Sequence, residues 1–358
     1  MAMTTISERI TAWECGGRAG VTPHATRVIR LATPLELTHG GELRACDIGY
    51  ELVGRPGLPL VVVLGGISAS RHVCSHSGDP RAGWWETIVG AGRAIDTRRF
   101  CVLGIDYLGG PGASSGPANR DDFPSIDTRD QARAIAAVLD DLGMVEAHAV
   151  VGASYGGMVA LAFGVLFPQR TSRVVAIGAA HRSHPMATAV RTVQRNIVQL
   201  GIETGRASEA LRLARGLAVT TYRTAEEFAT RFTHVPQQCT HGVRFPVQDY
   251  LDHCGSRFAD VFPPESFLRL SESIDLHDVS PAELTVPLTL VSVAGDVIVP
   301  SWQARELAAG ARGPVRLVET HSIYGHDAFL KEVTTMSEVI VDALRECGDE
   351  RETDGGAQ

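Results

Sequence analysis

The stretch HAVVGASYGGMVALAFGVLFP, residues 148–168, sets the architecture. It opens with a short apolar β-branched run, closes with a helical pattern that stops at Pro168, and turns between them through Gly152-Ala153-Ser154-Tyr155-Gly156. A serine at the tip of so tight a strand-to-helix turn needs small neighbours, because the strained backbone crowds whatever flanks it. Gly152, Ala153, Gly156 and Gly157 meet that need, so Ser154 is read as a nucleophile. The plainer reading is a Gly-rich turn whose serine only caps a helix.

Working outward, β-branched runs recur at 60–64, 100–105, 174–177, 288–293 and 315–318. Runs that are apolar on both faces predict a mostly parallel sheet sandwiched by helices. Segments 26–31 and 46–52 alternate more, which predicts an antiparallel edge hairpin. Helices are expected over 127–142, behind an Asp N-cap, and over 155–167. From about His181 to His277 no buried-strand run appears, while helical stretches at 187–200, 207–220 and 225–231 follow one another. The reading is an α/β-hydrolase fold with a mostly parallel central sheet flanked by helices and an inserted helical lid. Its core covers 20–180 and 281–347, its lid 181–280, and the termini 1–19 and 348–358 are expected to be flexible.

A nucleophilic serine needs a base, and in this architecture the chain order is serine, acid, histidine. Asp296 stands just past the strand at 288–293, and His326 lies in the Gly-containing loop Tyr324-Gly325-His326-Asp327 beyond the strand at 315–318. His326 is expected to take the Ser154 proton while Asp296 holds its tautomer and steadies the imidazolium. Two backbone N–H groups must hold the oxyanion: Tyr155, next to the nucleophile, and Ile67 in the loop Leu64-Gly65-Gly66-Ile67-Ser68, with an uncertainty of one residue for the second. His72, Cys74 and His76 form an HxCxH run, but no fourth ligand stands at zinc-like spacing, so they are read as loop residues and no metal is expected.

Composition narrows the class. A net charge of -8 with no dense basic stripe excludes nucleic acid as a natural partner. Charged residues at 21% and a mean hydropathy of +0.03 describe a globular chain able to bury a core, and no stretch is long and apolar enough to span a bilayer. Seven cysteines without CxxC pairing read as reduced thiols of a cytoplasmic protein.

The sequence resembles the homoserine O-acyltransferase family of methionine biosynthesis from about Leu35 to Leu344. The resemblance is carried by GWWETIVGAGRAIDTRRF (83–100), LGGPGASSGP (108–117), DFPSIDTRDQ (122–131), LRLARGLAVTTYR (211–223) and YGHDAFL (324–330). It implies Ser154, Asp296 and His326 as the triad, and Arg215, Tyr222 and Asp327 as substrate contacts. Homoserine is a zwitterion, so Arg215 would grip its carboxylate and Asp327 meet its ammonium. The implied reaction is ping-pong acyl transfer from acyl-CoA, a co-substrate rather than a bound cofactor, to L-homoserine, in a homodimer joined through the lid helices. Relatives often carry His at the position of Gly65, Ala at Gly66 and Met at Tyr155, so the acyl pocket is expected to differ here. Arg71 or Tyr155 is the candidate for reading a distal acyl carboxylate, which would favour succinyl over acetyl; alternatively Arg71 faces solvent. L-serine O-acylation and ester hydrolysis remain the competing activities.

Overall fold

The structure, a computed structural model, describes residues 27–117, 122–240 and 242–345. The flexible termini expected at 1–19 and 348–358 lie outside the described residues. Among the described residues, eight strands form one sheet: β1 (Arg27–Arg30), β2 (Asp47–Val53), β3 (Leu60–Leu64), β4 (Cys101–Ile105), β5 (Ala149–Ala153), β6 (Val174–Ile177), β7 (Leu288–Ala294) and β8 (Val315–His321). Their order is β1-β2-β4-β3-β5-β6-β7-β8. β2 runs antiparallel to both β1 and β4, which makes the expected edge hairpin, and every other pairing is parallel.

All residues of β3, β4, β5 and β6 are buried, because helices cover both faces of the sheet; this is why those strands read as unbroken apolar runs. β8 is different. It closes the sheet as an edge strand, half-exposed, and its Arg316 and Glu319 pair with Asp342 and Arg305 at 3.0 and 2.8 Å. Charges on an edge discourage pairing with another chain.

Helix α1 (Thr128–Asp141) begins on a reciprocal cap: Asp127 Oδ1 accepts from the N–H groups of Arg129 and Asp130 at 2.9 and 3.1 Å, and Asp130 Oδ2 accepts from the Asp127 N–H at 3.0 Å. Such a cap is worth about 1 kcal/mol. Helix α2 (Tyr155–Leu166) follows β5 directly and is buried almost throughout.

Among the described residues, five helices lie between β6 and β7: α3 (Pro185–Glu203), α4 (Ala207–Tyr222), α5 (Ala225–Arg231), α6 (Pro246–Ala259) and α7 (Pro264–Asp275). Two glycines let them close. A Cβ on Gly201 would meet Ala210 Cβ at 2.2 Å, and one on Gly255 would meet the Arg212 carbonyl at 2.4 Å. An exposed hairpin, Gln237–Cys239 with Gly242–Arg244, interrupts the helices and has no buried face, so it carries no hydrophobic pattern to find. The insertion is pinched at its base by a bridge between Arg182 and Asp278.

The HxCxH run is a fastening of the loop after β3 onto β2. His72 Nδ1 and His76 Nε2 lie 2.9 and 2.7 Å from Glu51 Oε1, and the three groups could sterically surround an ion. The protons argue for direct hydrogen bonds to Glu51. His76 Nδ1 accepts from the N–H groups of Gly78 and Asp79, so its proton sits on Nε2, facing Glu51. His72 faces acceptors on both sides, Glu51 and the Arg81 carbonyl; burial works to lower its pKa, but these acceptors raise it overall. No helix among the described residues is long and apolar enough to cross a membrane.

Candidate active site

The turn between β5 and α2 holds Ser154 at φ 55° and ψ -123°, a conformation L-residues rarely adopt. The small residues around it are required by contact. A Cβ on Gly152 would sit 2.0 Å from the Gly156 carbonyl oxygen, one on Gly156 2.4 Å from that of Leu64, and one on Gly157 2.7 Å from Ala179 Cβ. Backbone bonds fix the turn on both sides: the Ser154 N–H donates to Ile177 and the Gly156 N–H to Gly65, each at 2.8 Å.

The strand ends deliver the partners. Ser154 Oγ lies 2.7 Å from His326 Nε2, and His326 Nδ1 lies 2.7 Å from Asp296 Oδ2. A carboxylate only accepts, so Nδ1 carries the proton and Nε2 keeps a lone pair for the serine hydroxyl. Asp296 is itself aimed: its Oδ1 accepts from the N–H groups of Ile298 and Val299 at 2.8 and 3.0 Å. Burial works to lower the His326 pKa, yet the Asp296 charge and hydrogen bond, with a further contribution from Asp327, leave it above its ordinary value. Gly178, at φ +57°, packs against this pair, its Cβ position 3.6 Å from the imidazole.

Ser154 and His326 open into a cavity of about 280 Å³ whose wall includes Ile67, Tyr155, Arg215, Tyr222 and Asp327. Tyr155 is the first residue of α2, where a helix leaves its N–H without an intrahelical partner, so it suits an oxyanion. Ile67 lines the same cavity from the loop after β3. Gly65 in that loop cannot be larger, since a Cβ would meet Ala69 Cβ at 2.6 Å and the Trp84 ring at 2.8 Å. The indole of Trp84 fills that space and donates to the Ser70 carbonyl at 3.1 Å.

Arg215 is held on two aromatic faces, 5.0 Å from the Tyr222 ring centre and 4.6 Å from that of Phe258, and donates to the Tyr222 hydroxyl at 3.1 Å. Among the described residues it has no carboxylate partner. A guanidinium placed in a cavity without an anion is ready to receive one. Asp327, by contrast, already accepts through Oδ2 from Arg223 Nε at 2.7 Å.

Two expectations need correction. Arg71 does not face the acyl pocket: its guanidinium and its backbone N–H both bind Asp106, a carboxylate 2% exposed at the end of β4, the backbone bond at 2.9 Å. Asp106 also accepts from the Ala113 N–H at 2.8 Å, so one buried anion ties together the loops after β3 and β4. Tyr155 lines the cavity with its ring, but its hydroxyl is taken by Ser273 at 2.7 Å and Gln131 at 3.2 Å. Arg71 is thus paired with a carboxylate of the protein and does not line the cavity, and the Tyr155 hydroxyl is engaged within the protein.

A second cation lining the cavity beside Arg215, and one that sequence reasoning missed, is Arg191 on α3. It shares Asp275 with Arg195: Arg191 Nε and Arg195 Nη1 donate to that carboxylate at 2.8 and 2.6 Å. Burial would raise the Asp275 pKa, but the two guanidiniums and Thr188 hold it below the usual carboxylate range. Two guanidiniums against one carboxylate leave a net positive charge on the lid side of the cavity. The signal was available: Ala187, Arg191, Gln194, Val198 and Gly201 are the buried positions of α3 at helical spacing, so Arg191 and Gln194 sit on its inward stripe.

Known proteins share this fold and much of this sequence. The model of the alpha/beta hydrolase fold family matches residues 59–332. A homoserine O-succinyltransferase of Xanthomonas campestris is 42% identical over 321 residues, covering 89% of this chain and 84% of its own. A serine O-succinyltransferase of Litchfieldella anticariensis is 33% identical, covering 90% and 99%. Among solved structures, a homoserine O-acetyltransferase from Bacillus anthracis superposes with a TM-score of 0.82 at 18% identity, covering 90% and 98%, and esterase E22 with 0.81 at 20%, covering 90% and 100%. The last two establish the shared fold, which serves both transferases and esterases and so does not choose between them. On the match to the fold family and the 42% identity over nearly the whole chain, the protein belongs to the homoserine O-acyltransferase family of α/β-hydrolase-fold enzymes.

Proposed function

We infer that the protein transfers an acyl group, succinyl in preference to acetyl, from acyl-CoA to the hydroxyl of L-homoserine, a cytoplasmic step of methionine biosynthesis. The observation that carries the reading is the joined Ser154–His326–Asp296 set opening on the same cavity as the anion-free Arg215. Ser154 Oγ attacks the thioester carbonyl as His326 takes its proton, and the N–H groups of Tyr155 and Ile67 hold the oxyanion. The intermediate collapses with proton return to sulfur, and CoA leaves as the thiol. The homoserine hydroxyl then gives its proton to His326 and attacks the acyl-serine, and Ser154 is reprotonated as it departs.

Arg191 supports the succinyl preference, because its charge sits on the wall of the cavity that receives the acyl group, and so does the 42% relative named for succinyl transfer. Serine is the rival acceptor on the strength of the 33% relative. One methylene is worth only about 1–3 kcal/mol of discrimination, so the acceptor must be measured. A homodimer through the lid is the proposed assembly, supported by exposed Leu213 on α4, exposed Val243 in the lid hairpin and exposed Phe245 just after it.

The test is product mass and CoA release with succinyl-CoA and acetyl-CoA crossed against homoserine and serine. Succinyl-homoserine is expected to dominate, and Arg191→Ala to lower kcat/KM for succinyl-CoA roughly tenfold or more while sparing acetyl-CoA. Release of CoA at full rate with no acceptor would instead indicate a hydrolase.

Arg71→Ala carries a separate prediction. Since Arg71 braces the oxyanion loop through Asp106, its loss is expected to lower turnover with both donors by the same factor. A defect confined to succinyl-CoA would return Arg71 to the acyl pocket.

A further inference from the structure

Arg223 is almost wholly buried, with its side chain 10% exposed, and it bridges two acids: Nε donates to Asp327 Oδ2 at 2.7 Å and Nη1 to Glu227 Oε1 at 3.1 Å. Glu227 is buried too, and its Oε2 has no hydrogen-bond partner among the described residues. Among those residues the one other cation on Glu227 is Arg231, at 3.4 Å and 44% exposed, which solvent screens heavily. One buried guanidinium between two carboxylates leaves a negative balance, and Asp327 is the member that reaches the cavity. On the same cavity wall Arg215, which has no carboxylate partner among the described residues, leaves a positive balance. The cavity therefore presents a negative pole and a positive pole near the same imidazole.

The bridge also crosses a structural boundary. Tyr222 ends α4, and Arg223 and Thr224 form the turn to α5 of the lid, whereas Asp327 belongs to the loop that carries His326. Thr224 Oγ1 donates to the Ile323 carbonyl at 2.6 Å, and Gly325 lies so close that a Cβ on it would meet the Tyr222 carbonyl oxygen at 3.2 Å. The lid turn and the histidine loop thus form one fastened unit, with Arg223 as its charged link.

We propose that Arg223, backed by Glu227, is the positioning residue that holds Asp327 toward the acceptor's ammonium group, and so selects an α-amino acid over a simple hydroxy acid. The inference rests on the proposed acyl transfer to homoserine. Through its hold on Oδ2, Arg223 fixes the carboxylate plane and leaves Oδ1 as the acceptor for an N⁺–H donor. Without Arg223, Asp327 loses its hold on Oδ2, and the remaining counter-charge is the half-exposed Arg231 on Glu227.

The acceptor pair homoserine and 4-hydroxybutyrate isolates the effect, since the second keeps the carboxylate and the hydroxyl and lacks only the ammonium. In wild type and in the Arg223→Gln and Arg223→Lys variants, two quantities are measured: the acceptor-free burst of CoA, reporting acylation of Ser154, and kcat/KM for each acceptor. The burst is expected to persist in Arg223→Gln while kcat/KM for homoserine falls roughly ten- to a hundredfold. The preference for homoserine over 4-hydroxybutyrate should shrink accordingly, with Arg223→Lys recovering part of it. An unchanged preference in both variants, or a loss of burst and transfer in equal proportion in both, would overturn the proposal. A wild-type enzyme that acylates neither homoserine nor serine would overturn the underlying reading instead.

Discussion

Ser154→Ala is expected to reduce CoA release by on the order of 10⁴-fold or more, to the level left by binding and the oxyanion groups alone. The proposed acyl-enzyme is an ester of this one oxygen. The fold should survive, because alanine keeps the Cβ and the turn is held by backbone bonds from Ser154 and Gly156 rather than by the hydroxyl, whose partner is His326. Intact-protein mass after mixing with succinyl-CoA gives the decisive reading: an acyl adduct on the wild type and none on the variant, with thermal unfolding midpoints alike. An adduct that persists on Ser154→Ala would refute a serine-borne intermediate.

Asp296→Asn is expected to cost a comparable factor, also on the order of 10⁴. Asp296 Oδ1 faces two backbone N–H groups, so in the substituted side chain the amide oxygen is driven to that side and the NH₂ turns toward His326. Facing a donor, Nδ1 gives up its proton, the neutral imidazole carries it on Nε2, and Ser154 loses its base. The pH profile supplies an independent check. Activity requires neutral His326, whose pKa lies above its ordinary value, so kcat/KM for acyl-CoA should climb with pH through an acid limb placed above about 6.5. Removing the Asp296 charge leaves burial as the dominant influence, and burial favours the neutral ring. The residual activity of Asp296→Asn should therefore show its acid limb at lower pH. A limb that stays in place would mean that some other group titrates.

Much of this was legible in the chain because it is local. The elbow is a contiguous pattern whose glycines answer to contacts within a few residues, or to the ends of the neighbouring strands. Asp296 and His326 each come after a strand whose apolar run announces it, and parallel strands carry the loops at their C-terminal ends to the same edge of the sheet. The inserted helices were equally readable, from the long gap in buried strands between β6 and β7.

Charge pairing across distance decided the points that residue order left open. Arg71 reads as an ordinary loop cation until the fold brings Asp106, 35 residues on, against both its guanidinium and its backbone. Tyr155 reads as a polar tip beside the nucleophile until Ser273 and Gln131 occupy its hydroxyl. Arg191 reads as a helix charge like many others until Asp275 is seen to be shared with Arg195, leaving uncompensated charge on the cavity wall. Asp327 and Arg223 stand 104 positions apart and meet only where the lid turn lies on the histidine loop. Residue order alone was enough for the sheet, the elbow and the succession of the triad, because backbone strain and hydrophobic periodicity act between near neighbours. The folded arrangement was needed to show which arginines are balanced by a carboxylate and which leave charge on the cavity wall, because ion pairs form between side chains whose separation along the chain carries no record of their separation in space.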